Sequence, residues 1–210
     1  MATTKRAHSV IAKQEREAQI IAAAEGLLME KGYFDLNMDQ VARASGLAKG
    51  TVYLYFKTKE EVFLKVFERQ SVLWRDDFER RLVNTTSTQT ALVDLLVETI
   101  ATRPLFTRLV ALSPVIFEYN VQPEQLRANK LWVYDNLNQI GARLDETFGL
   151  GLAQGATLLL RVFVVVAGLE GFAHPSPAAK EIYDSEPNLP RLDFATELRS
   201  LITMLLQTEQ

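Results

Sequence analysis

The chain has 210 residues, 48% of them apolar and 23% charged, which fits a globular protein with a substantial core. It contains no cysteine, which excludes a disulfide framework and a thiolate metal site. The net charge of −3 excludes an overall basic coat, but residues 1–60 carry nine Lys/Arg against seven Asp/Glu, whereas residues 61–210 carry fourteen against nineteen. A basic end on an acidic body suits a nucleic-acid reader joined to a second function.

The opening has no apolar segment of the secretory kind, and a cytoplasmic location is expected. Residues 1–13 are polar and read as a frayed tail, with Lys5, Arg6 and His8 as a candidate arm toward a DNA groove. From Gln14, the positions Ile20, Ile21, Ala24, Leu27 and Leu28 recur at helical steps, and Lys31-Gly32 ends that helix. Tyr33 and Phe34 then supply aromatic bulk.

Residues 37–59 read as two short helices around a tight turn. Asn37 can cap the first, with Gln40 three residues on, and Met38 and Val41 give it an apolar face. Gly46 suits a left-handed reversal, and Leu47 plugs the angle between the helices. The second helix, near residues 49–56, sets Val52 and Phe56 on one face, leaving Lys49, Thr51, Tyr53 and Tyr55 outward. From Arg43 to Lys59 there are four cations and no acid. This is the pattern of a helix-turn-helix whose second helix enters a major groove.

Thr58, with Glu61 three residues on, opens the next helix, and Val62, Phe63, Val66, Phe67, Leu73, Trp74 and Phe78 extend it as a lever into the body. Residues 84–90 form a polar, Thr-rich joint. Residues 91–100 form an amphipathic helix, Pro104 and Pro114 break the chain, and Pro123 starts a helix over 124–148. After Gly149-Leu150-Gly151, residues 152–173 are apolar on nearly every side and are expected to be buried on nearly every side. Their longest apolar run holds Arg161 and is too short for a bilayer, so no membrane partner is expected. His174-Pro175-Ser176-Pro177 begins a loop to Pro190, and residues 191–206 close the chain as a helix. No useful β-alternation occurs, and the fold class is all-α. The expected division is residues 1–57 for DNA binding and 58–210 for ligand binding and dimerisation.

Val41-Ala42, Ser45-Gly46-Leu47, Lys49-Gly50-Thr51, Tyr53, Tyr55-Phe56-Lys57 and Lys59-Glu60-Glu61 strongly resemble the DNA-binding domain of TetR-family bacterial repressors. The resemblance covers about residues 14–67; beyond that the chain matches in length and helical character only. It implies a homodimeric, ligand-responsive regulator of transcription, most simply a repressor, acting on a two-fold operator in double-stranded DNA and released by a small-molecule inducer. It also implies DNA contacts by position: Lys49 and Gly50 at a phosphate, Thr51 and Tyr53 at base edges, Tyr55 and Lys59 as phosphate anchors. Ala48 departs from the Ser or Thr common there, which removes a cap.

In the body, an aromatic-walled chamber is expected around Phe117, Trp132 and Phe163, with Arg161 as a polar handle for a ligand. The last two long helices are expected to form the dimer seam through Leu158, Val165, Leu169, Leu198, Leu201 and Leu205. His8 and His174 lack metal-ligand company, and there is no G-x-S-x-G elbow or Walker A loop; no metal, cofactor or enzymatic activity is expected. The rival reading is a helical dimeric interaction protein whose basic helix binds an acidic protein partner.

Overall fold

A computed structural model describes residues 2–207, with side chains from residue 11 onward, and among these residues every regular element is helical. The first, α1 (Ala2–Lys31), runs through the stretch expected to fray. Residues 2–13 hold no Pro or Gly, so nothing stops the amphipathic helix from propagating backward. The side chains of Lys5, Arg6 and His8, the candidate arm, lie outside the described residues. Ile20, Ala24 and Leu28 are fully buried against α2 (Met38–Ser45) and α4 (Lys59–Leu82), with α3 (Lys49–Tyr55) packed on α2.

Helix α4 carries this small unit into the body. At its start Thr58 Oγ1 accepts the Glu61 N–H at 3.2 Å, while Glu61 Oε2 accepts the Lys57 N–H at 2.6 Å, one residue earlier than a capping box closes. The body follows as α5 (Gln89–Ala101), α6 (Pro104–Leu112), a π-helical turn (Ser113–Phe117), α7 (Glu118–Asn120), α8 (Pro123–Phe148), α9 (Gln154–Ala173), α10 (Pro177–Ser185) and α11 (Phe194–Gln207). The buried apolar residues form one cluster from Ile20 to Leu206, and α4 contributes from Val62 to Leu82. No linker separates the two halves.

Helix α9 packs on α6, α8 and α11, with Leu158, Leu159, Val162, Val166 and Leu169 buried. It is long and apolar enough to cross a membrane by composition, but this face is spent on the core. It is not buried all round, as expected from hydropathy. Thr157, Arg161, Val164, Gly168 and Phe172 form an exposed stripe that is itself mostly apolar or small, so hydropathy does not set it apart. Helix α10 forms where a loop was expected: Ser176 Oγ accepts the Ala179 N–H at 3.3 Å and Pro177 takes the first helical position.

Two contacts fix the body. Helices α8 and α9 touch backbone to backbone: a Cβ on Gly155 would lie 2.2 Å from the Gly141 carbonyl oxygen, and Asp145 Oδ1 accepts the Gly155 N–H at 2.6 Å. Buried Asp77 of α4 accepts from Arg80 at 2.5 Å and Arg81 at 3.2 Å, and pairs with Arg103, before α6, at 3.3 Å. Burial pushes its carboxyl up, but the hydrogen bonds from Arg81 and Arg103 outweigh this and hold it below the ordinary carboxylate range.

Gly155→Ala places a methyl against backbone that cannot yield, so it lowers stability by about 1–3 kcal/mol, despite the better helix propensity of alanine. A melting temperature at or above wild type contradicts the close approach. Asp77→Asn lowers stability by about 1.5–3 kcal/mol at neutral pH. Because the folded carboxyl titrates below its unfolded value, this contribution is present above about pH 4 and is lost as pH falls through the folded pKa. Melting curves of wild type and variant therefore converge in acid; a constant gap removes the ionic origin.

Candidate nucleic-acid interface and ligand cavity

The turn between α2 and α3 is built by local chemistry. Asn37 Oδ1 accepts the Gln40 N–H at 3.0 Å, and Gln40 Oε1 accepts the Asn37 N–H at 2.8 Å, a reciprocal box. Gly46 sits at φ 68° and its N–H returns to the last turn of α2. Gln19 of α1 donates to the Ser45 carbonyl at 2.7 Å, which holds the turn against α1. Ala48 makes no side-chain cap bond to α3.

On α3, Val52 and the following Phe56 are buried, while Lys49 and Gly50 are exposed and Thr51, Tyr53 and Tyr55 are half-buried. Leu54, which spacing arguments passed over, stands 78% exposed. Lys49 Nζ lies 2.7 Å from Asp39 Oδ1 of α2 and 5.8 Å from the Tyr53 ring. The hydrogen bond to Asp39, with its charge, raises the Lys49 pKa above the usual lysine value. At seven residues, α3 has little dipole to offer a phosphate, so Lys49 is the main positive group at its start.

Lys59 departs from expectation. Its ammonium donates to the Leu36 carbonyl at 3.0 Å and the Tyr33 carbonyl at 3.3 Å, and lies 4.3 Å from the Tyr33 ring centroid. Two N–H groups and one flank are thereby engaged inward, and Lys59 serves first to hold the loop after α1.

A cavity of about 280 Å³ lies between α4, α6, the π turn, α8 and α9, walled by Trp74, Phe106, Trp132, Val133, Ile140 and Phe163. Trp74 stacks on Phe106 at 5.5 Å and meets Phe163 edge-on at 5.1 Å. Exposed Leu160 and Val164 also border it, so it opens toward the bare stripe of α9. Its charged groups are paired: Arg75 donates to Asn136 at 2.7 Å and to Asp76, and Lys130 pairs with Glu118.

Trp132 and Phe163 thus meet at the cavity, and two expected companions do not. Phe117 is fully buried one layer away, against Tyr33, while its neighbours Ser113, Pro114 and Glu118 line the wall. Arg161 is exposed on α9 and does not line the chamber, because the helix turns that side outward. The expected seam also shifts. Leu158, Leu169 and Leu198 are buried within the chain by α9–α11 packing, whereas Val165, Leu201 and Leu205 are half-buried.

A helix-turn-helix with a lysine at the start of its second helix, joined to an all-α body, is the architecture of a DNA-binding regulator. The family model for bacterial regulatory proteins of the tetR family matches residues 20–66, and the tetracyclin repressor-like C-terminal domain matches residues 68–207. The chain belongs to the TetR family. It is 38% identical to the fatty acid metabolism regulator protein of Bacillus subtilis over 58 residues, which are 28% of this chain and only 30% of that relative. It is 30% identical to the nucleoid occlusion factor SlmA of Actinobacillus pleuropneumoniae over 128 residues, 59% of this chain and 61% of that one. The crystal structure of Thermus thermophilus FadR, a TetR-family repressor in complex with lauroyl-CoA, shares the fold at TM-score 0.61 and 22% identity, over 92% of this chain and 95% of that one. With the family established, the acidic-partner reading has no observation behind it.

Asp39→Asn frees Lys49 for phosphate. Duplex affinity rises for all sequences alike, and the slope of log K against log salt steepens by about 0.9. An unchanged slope in salt titrations means that Lys49 does not contact phosphate.

Proposed function

We propose that the protein is a homodimeric repressor whose operator affinity is set by an apolar or amphipathic ligand in the cavity between α4 and α9. The observation carrying this reading is that α4 does both jobs: Trp74 walls the cavity, and the N-terminus of α4 holds α3 through the Glu61–Lys57 bond. Lys49, Gly50, Thr51, Tyr53 and Tyr55 form the DNA face, and Lys59 adds its charge behind them. The partner protomer covers the bare stripe of α9 and the adjoining side of α11, with Val164, Val165, Phe172, Leu201 and Leu205 at the seam. A two-fold operator then presents its half-sites about 34 Å apart, one turn of DNA. Ligand entry displaces the cavity walls, α4 tilts, and the two recognition helices lose that spacing. A cytoplasmic location goes with this role.

The ligand reading rests on the lining. Aromatic and aliphatic walls favour a hydrocarbon body, and the paired state of Arg75 and Lys130 leaves a charged head group at the mouth rather than inside. A long-chain acyl thioester meets both demands, and such compounds occupy the Thermus thermophilus FadR described above.

The test uses a duplex selected from a randomised pool by the purified protein. Lauroyl-CoA releases it at micromolar concentration, whereas coenzyme A alone does not. Ala167→Phe, which fills the cavity, keeps duplex binding and loses the release. Release of the variant at the wild-type concentration places the ligand elsewhere, and no release by any acyl chain length removes the thioester.

A further inference from the structure

On α3 the buried positions Val52 and Phe56 define the inward side. At about 100° per residue, Leu54 and Gly50 fall on the opposite side, the ridge that enters a groove first. Three polar side chains of α3 are partly engaged by the protein itself. Lys49 reaches Asp39, Tyr53 and Tyr55 pack against the core, and the Lys57 ammonium donates to the Tyr53 carbonyl at 2.7 Å. A lone exposed leucine on an arbitrary surface means little. This one crowns the outward face of the helix that the reading above places in the groove.

Gly50 supports the same placement. A Cβ there would meet nothing within 4 Å and its backbone is not left-handed, so neither packing nor turn geometry within the protein demands glycine. A glycine in a helix costs about 0.5–1 kcal/mol relative to alanine, a cost that close approach of another molecule would offset. The open space lies one turn before Leu54, on the same ridge.

We propose that Leu54 is a specificity-determining residue that reads a thymine through its C5-methyl group in the major groove, with Gly50 letting the helix seat deeply enough to make the contact. Leucine has no donor or acceptor, and the thymine methyl is the one apolar feature that distinguishes a base pair in that groove. A cytosine or guanine edge pressed against Leu54 would lose hydration without gaining a hydrogen bond. This inference rests on the DNA-reading function proposed above.

The full-length wild-type protein selects duplexes from a randomised pool, and each thymine of an enriched duplex is then replaced singly by deoxyuridine, which removes only the methyl. At one thymine in each half-site, the replacement weakens wild-type binding about fourfold, the worth of one buried carbon group. In Leu54→Ala that ratio falls to one, while the melting temperature and salt slope stay at wild-type values. Gly50→Ala melts higher than wild type yet binds every enriched duplex more weakly. Enriched duplexes with no methyl-sensitive thymine, or the same deoxyuridine ratio in wild type and Leu54→Ala, overturn the assignment and leave the regulator reading intact. Failure to enrich any duplex overturns both.

Discussion

The Tyr33 ring stands between Phe63 of α4 and Phe117 of the π turn, at 5.4 and 6.1 Å, and joins the recognition unit to the body. Its hydroxyl donates to Glu60 at 2.5 Å and its carbonyl accepts from Lys59 at 3.3 Å, so both ends of one residue grip the first turn of α4. Burial first, and then the Glu60 carboxylate, push its phenol well above the ordinary tyrosine range, which keeps it a neutral donor. Phe117 belongs to the π turn whose first two residues, Ser113 and Pro114, line the cavity. Under the proposed mechanism a shift of that wall reaches the recognition unit by packing, through Tyr33 in the loop that follows α1. The π turn is a suitable place for such a shift, since its hydrogen-bond pattern is the least regular in the body.

Features set by neighbouring residues were legible in the sequence; features set by distant packing were not. The Asn37–Gln40 box, the left-handed Gly46, the missing cap at Ala48 and the Thr58 cap each depend on residues within four positions, and each follows from residue type. The face that a helix buries depends on what lies against it. In α9 the exposed stripe of Arg161, Val164, Gly168 and Phe172 differs too little from the buried one for periodicity to separate them. Sequence alone therefore does not tell that Arg161 faces outward and Leu158 inward. Lys59 is a different case: nothing local signals that its ammonium donates to the Tyr33 and Leu36 carbonyls, more than twenty residues away. Leu54 hid because an apolar residue in a short helix reads as core unless the burial of its neighbours is known.

Helix α4 is held firmly at its far end as well. Asp77 collects three guanidinium groups there, one of them from the segment leading into α6, and Trp74 one turn earlier is stacked between α6 and α9. A helix pinned by Tyr33 at one end and by Asp77 at the other has little freedom to bend in the middle. Its available motion is a rigid tilt, carrying α3 with it through the Glu61–Lys57 bond. This is why a cavity beside Trp74 can matter to a helix near residue 50 without touching it.

Energetics then constrain the ligand. Moving a two-state equilibrium from 1:99 to 99:1 requires about 5.5 kcal/mol of preference for one state. The charged groups around the cavity already have partners within the protein, so that preference must come chiefly from apolar burial. At about 0.8 kcal/mol per methylene, roughly seven methylene groups must be buried in the DNA-releasing form and not in the other. A cavity of about 280 Å³ lies at the lower edge of the range for small-molecule sites. A ligand that merely fills the existing cavity gains the same burial in both forms. The preference must therefore come from chain that is accommodated only when the walls, α4, α6, the π turn, α8 and α9, move apart. On the proposed mechanism the opening that admits the chain and the tilt that releases DNA are the same movement. Ligands with shorter chains should then bind without releasing the operator.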